Sequence, residues 1–157
     1  MTSAPSYANS ILYTDHILSE IFAYAEKNLN LRAMVYFSDH GENLQISHNP
    51  DVFKFDMVRI PMFIYLSPEY RAAMPRRTAT LTGRRDAYFT NDMMYDTVCG
   101  LGAPNNRYDP RQDFSASTYG FTRETLTTMF GTHALTEDVD PPMYAAGVPA
   151  APADGKE

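Results

Sequence analysis

Two short apolar runs, Leu31–Phe37 and Ile60–Leu66, most constrain the fold of this chain. Each is about seven residues long, the length of a strand buried on both faces and well short of the roughly 18 residues of a membrane span. A helix is expected before the first run, from about Asn9 to Asn28. Ile11, Leu18, Phe22, Ala25 and Leu29 recur there at helical spacing, and Asn9 or Ser6 can cap its start. A helix feeding a short apolar strand predicts an α/β architecture with mostly parallel strands. The 157 residues suffice for one ordinary domain.

The strands frame the functional part. Ser38-Asp39-His40-Gly41-Glu42 follows the first run at once, at a strand's C-terminal end, where open α/β sheets bind ligands. Asn43 to Arg59 then reads as a long loop, which at that length is usually functional or disordered. Ser67 to Arg85 reads as a polar, basic loop with a helical turn at Pro68–Arg71. Asn91 to Leu101 reads as a short helix with Met94, Val98 and Leu101 on one face, and Tyr108 to Gly131 as a strand and a short helix. After residue 137 come Pro141, Pro142, Pro149, Pro152 and five alanines, the composition of a disordered tail over 138–157. Residues 1–137 form the expected domain.

Composition narrows the partners. Thirteen Lys and Arg against 19 Asp and Glu give a net charge of −6, which argues against nucleic acid as a partner. One cysteine, Cys99, excludes an internal disulfide framework and any all-cysteine metal site. The first residues have neither the basic start nor the apolar run of a secretion signal, so the chain as written is expected to stay in the cytoplasm.

Asp39 and His40 offer one hard oxygen and one imidazole nitrogen, a pair suited to Zn²⁺ or Mn²⁺, and Gly41 lets the backbone turn sharply behind them. Two ligands do not complete a catalytic zinc shell. The plain alternative is an Asp cap beside a solvent-facing His. His16 and His133 are isolated in sequence. Five of the 13 basic residues fall between Arg71 and Arg85, which suits a solvated face or acidic lipid head groups. Thr14, Thr90 and Thr97 read as structural.

The heptapeptide Tyr36-Phe37-Ser38-Asp39-His40-Gly41-Glu42 resembles the signature of the phosphoethanolamine transferases, in the sulfatase and alkaline phosphatase superfamily. Tyr7–Asp15, Arg59–Ser67 and Asn91–Gly102 resemble the segments around it, so the resemblance spans roughly residues 7–103. It implies a partial sulfatase-like α/β/α sandwich. It implies Asp39 and His40 as zinc ligands, His48 as a contact to the phosphate group or a second metal, and Glu42 as the group that orients His40. The implied reaction moves phosphoethanolamine from phosphatidylethanolamine, through a phosphorylated threonine, to a lipid or glycan acceptor, in a periplasmic domain anchored in the inner membrane.

The sequence departs from that pattern. The stretch before His48 is short, and the upstream threonine and acidic ligand have no counterpart here. The chain alone is therefore expected to be inactive: the C-terminal portion of a catalytic domain, expected to pair with the missing N-terminal half or with itself. A phosphate or sulfate ester hydrolase of the same superfamily, or a non-catalytic module that docks onto a partner, are the alternatives.

Overall fold

A computed structural model describes residues 4–46, 49, 51–102 and 107–139. Helix α1 (Ala4–Asn28) starts about five residues earlier than its periodicity predicts. It stops where Asn30 takes a left-handed backbone, φ 50°, and the Asn28 side-chain amide donates to the Tyr24 carbonyl. Ala25 is buried, and Phe22 meets Tyr65 edge-on at 4.7 Å. Ile11 and Leu29, expected on the buried face, are 50% and 65% exposed.

Strands β1 (Ala33–Phe37) and β2 (Met62–Leu66) fall inside the two apolar runs. They pair antiparallel, from Ala33 opposite Leu66 to Phe37 opposite Met62, with Tyr36 stacked on Phe63 at 5.3 Å. The mixed α/β class holds, and the parallel direction expected for these strands is corrected. A parallel return needs a crossover, normally a helix. Among its described residues the chain between the strands holds one helical element, the single turn of Phe55–Val58, and its ends meet where the Ser38 N–H donates to the Pro61 carbonyl. It therefore re-enters beside its exit, and antiparallel pairing follows.

Ser67 to Arg85 is two helices, not a loop: α2 (Pro68–Ala73) and α3 (Pro75–Thr82). The Ser67 hydroxyl accepts from the Tyr70 N–H, and each helix starts on a proline whose missing N–H costs nothing there. The basic cluster is correspondingly not all solvated. Arg77 donates to Asp113, Ser115 and Tyr108, and Arg84 to the carbonyls of Phe114, Ala116 and Tyr119.

The turn Asn91–Met93 leads into α4 (Met94–Gly102). Met94 and Leu101 are buried as expected, Val98 is exposed, and Thr97 is fully buried with its hydroxyl accepting from the Phe114 N–H. Cys99 is buried and forms no disulfide. The expected strand and helix over 108–131 give way to turns and a two-residue pairing of β3 (Thr127–Thr128) with β4 (His133–Ala134). His133 is not isolated: it stacks on Phe53 at 4.0 Å, and its Nδ1 lies 3.0 Å from Glu137.

The core comprises Met93, Phe114, Tyr119 and Leu126, with Met62, Leu81 and Phe89 packed around it. Each fully buried side chain of this size contributes on the order of 2 kcal/mol. Burial pushes the Tyr119 phenol from 10.0 up to about 12, partly offset by the Arg84 guanidinium over its ring. The folded state thus holds this proton longer than the unfolded chain does. Its contribution is complete below pH 10 and is lost as pH rises towards about 12. In alkaline denaturation the wild type is expected to lose stability across that window, and Tyr119→Phe to flatten the loss; an identical curve for the variant would refute this.

Candidate functional site

The site grows from the end of β1. Pro61 has no N–H to extend the ladder, so pairing ends at Phe37 and Met62 and the chain turns. Local hydrogen bonds hold the turn: the Ser38 hydroxyl donates to the His40 carbonyl at 2.8 Å, and the His40 N–H to Asp39 Oδ1 at 3.0 Å. The Gly41 N–H donates to the Met57 carbonyl at 2.7 Å. A Cβ on Gly41 would stand 2.2 Å from the Asp56 carbonyl oxygen and 2.5 Å from that of Arg59, so only glycine fits there.

Gly41 lies against the segment Asp56–Arg59, and that segment is tied down in turn. Arg59 bonds Asp56 at 3.2 Å and grips Asp138 through both carboxylate oxygens at 2.7 Å. Arg123 donates to the carbonyls of Leu135 and Asp138. The Asn43 side-chain amide donates to the other Asp56 oxygen. The start of the long loop and the end of the described chain thus lock together around the turn.

The two candidate ligands are adjacent in space. His40 Nε2 is 3.9 Å from Asp39 Oδ2, and the side chains are 47% and 88% exposed. His40 Nδ1 lies 2.9 Å from the Gly41 carbonyl, which can only accept, so the tautomer that satisfies this contact carries its proton at Nδ1. A metal-ligating histidine is typically held this way, its second nitrogen donating to a backbone carbonyl. Two donors sharing one tetrahedral zinc stand ~3.3 Å apart, given Zn–N and Zn–O bonds of ~2.0 Å. The pair stands somewhat wider than that, and would match one edge of a zinc shell after a shift of the exposed Asp39 side chain, whose Oδ1 accepts from the His40 N–H. Among the described residues no cluster of three or more His, Cys, Asp or Glu forms.

His48 lies outside the described residues, as does most of the expected tail. Thr97, buried against Phe114, is not available as a nucleophile. Sequence reasoning missed Asn91: its side-chain amide donates to the carbonyls of Ser38 at 3.2 Å and Asp39 at 2.9 Å. An Asn at a helix start reads as a local cap, and nothing in its surroundings in the sequence signals a reach of more than 50 residues.

Among the described residues no helix is long and apolar enough to cross a membrane. The family model described as Sulfatase matches residues 2–103. No curated protein and no solved structure matches the chain.

Proposed function

The chain belongs to the sulfatase family, whose enzymes are generally metal-dependent, and from that premise we propose that it carries part of a zinc-dependent phosphoethanolamine transferase. The observation that carries this reading is the Asp39–His40 pair, with Nε2 and Oδ2 3.9 Å apart at the end of β1. The resemblance of Tyr36–Glu42 to the transferase signature supplies the substrate class.

In this reading Asp39 contributes an anionic oxygen and His40 a neutral nitrogen to one divalent ion. The Gly41 carbonyl favours the tautomer with its proton at Nδ1, the one that can bind a metal through Nε2. Glu42 helps to orient the ring, and His48 contacts the phosphate of the substrate. Zinc, when bound, would polarise a phosphoryl oxygen and acidify a hydroxyl. The donor is phosphatidylethanolamine and the acceptor a lipid or a glycan. The attacking threonine and the remaining ligands belong to groups other than the pair described. The name of the matching family favours a second reading, hydrolysis of a sulfate or phosphate ester at the same pair.

Zinc titration by calorimetry tests the site. Binding of about micromolar strength or tighter is expected, lost in Asp39→Ala and in His40→Ala. Equal binding in the wild type and both variants would reject these ligands. Head-group release from phosphatidylethanolamine vesicles, set against cleavage of a simple aryl sulfate or phosphate by the complete catalytic domain, separates transfer from hydrolysis.

A further inference from the structure

Asn91 opens the turn before α4, yet its side chain reaches back to the end of β1. Nδ2 donates to the Ser38 carbonyl at 3.2 Å and to the Asp39 carbonyl at 2.9 Å. Both partners are acceptors, so an amide turned the other way would set oxygen against two oxygens; the orientation is fixed. Asn91 Oδ1 is buried and has no hydrogen-bond partner among the described residues. A buried amide oxygen left unpaired is costly. A purely packing side chain of the same shape would avoid that cost, so what the amide adds here is its pair of donors.

Those donors act on a particular backbone unit. The Ser38 carbonyl belongs to the peptide plane before the Asp39 Cα, and the Asp39 carbonyl to the plane after it. Each plane is rigid, so holding both fixes φ and ψ of Asp39. That sets the direction of the Asp39 Cα–Cβ bond and places the His40 backbone, from which the ring reaches the Gly41 carbonyl. We propose that Asn91 is the positioning residue of the Asp39–His40 pair, aiming both side chains at a common divalent ion. The metal part of this inference rests on the function proposed above; the aiming of the turn does not.

The test uses the whole chain with Asn91→Asp, which replaces the donors by acceptors, and Asn91→Leu, which keeps the volume without polar atoms. The first readout needs no metal. Long-range ¹H–¹⁵N NMR at alkaline pH reports the His40 tautomer. The wild type is expected to be protonated at Nδ1, and both variants to show a mixture of tautomers. The second readout is Co²⁺ titration followed by visible absorption. The dissociation constant is expected to rise about tenfold or more, as on loss of other groups that orient metal ligands.

Thr97→Val, on α4 just after that turn, is the control. It removes a hydrogen bond to the Phe114 N–H and should lower Tm while leaving the His40 tautomer unchanged. A wild-type tautomer in both Asn91 variants, or the same tautomer mixture in Thr97→Val, overturns the proposal. A wild type that takes up no Co²⁺ while the Asn91 variants still shift the tautomer upholds the positioning and overturns the metal reading. If Asn91→Asp does not fold, Asn91→Leu decides.

Discussion

Arg77→Ala is expected to cost about 3–5 kcal/mol, the usual penalty for stripping one partner from a buried ion pair. Asp113 is fully buried. Its Oδ2 accepts from Arg77 at 2.8 Å and its Oδ1 from the N–H and hydroxyl of Ser115. Burial of the guanidinium works against its charge, but hydrogen bonds to Asp113 and Tyr108 outweigh this and raise the Arg77 pKa above its ordinary value. Without Arg77 the carboxylate keeps, among the described residues, the Ser115 donors alone. For a domain of this size the loss corresponds to a fall in Tm of roughly 10–15 °C. Arg77→Lys should fall between, because an ammonium keeps the charge but not the planar fork that spans Asp113, Ser115 and Tyr108. Gly100→Ala strains the same network from the helix side, as a Cβ there would stand 1.9 Å from Asp113 Oδ2. Thermal unfolding followed by circular dichroism measures all three, and a Tm within about 2 °C of wild type for Arg77→Ala would show that Asp113 finds another partner.

Gly41→Ala should be nearly as damaging to the fold, and more so to the site. The added carbon would meet backbone oxygens of Asp56 and Arg59, which unlike a side-chain tip cannot swing aside. Arg59 is moreover held by both Asp56 and Asp138, so that segment resists moving. The turn carrying Asp39 and His40 must shift instead. About 3 kcal/mol is expected, or roughly 10 °C in Tm, together with a zinc affinity weakened at least about tenfold. Zinc calorimetry on the folded variant, well below its Tm, separates the two effects. Wild-type affinity in a folded Gly41→Ala would mean that the turn does not set the ligand geometry.

What the sequence reveals and what it hides follows from the range of the interactions involved. The two strands and α1 are legible because their signal is local: apolar runs and a helical period. The adjacency of Asp39 and His40 at a strand end is legible for the same reason. Strand direction is not, because it depends on how a 24-residue excursion from Ser38 to Pro61 closes on itself. Helices α2 and α3 leave signals in Ser67, Pro68 and Pro75, but the five arginines around them suggest a solvated loop. Nothing local reveals that Arg77 and Arg84 reach chain 30 or more residues away. Asn91, Arg59 and Asp138 are hidden likewise: each acts through a partner dozens of positions distant, and only the folded chain brings them together.

The four core side chains also bear on where this chain can be cut. Met93 lies within the stretch that matches the family, but Phe114, Tyr119 and Leu126 lie beyond it, as does Asp138, which anchors Arg59. Trimming at residue 103 would strip three of those four side chains and the Phe114 N–H that Thr97 of α4 accepts from. The statistical border of a sequence family and the reach of the packing it takes part in are different lines: the contacts of Arg59 alone run some 35 residues past the end of the match.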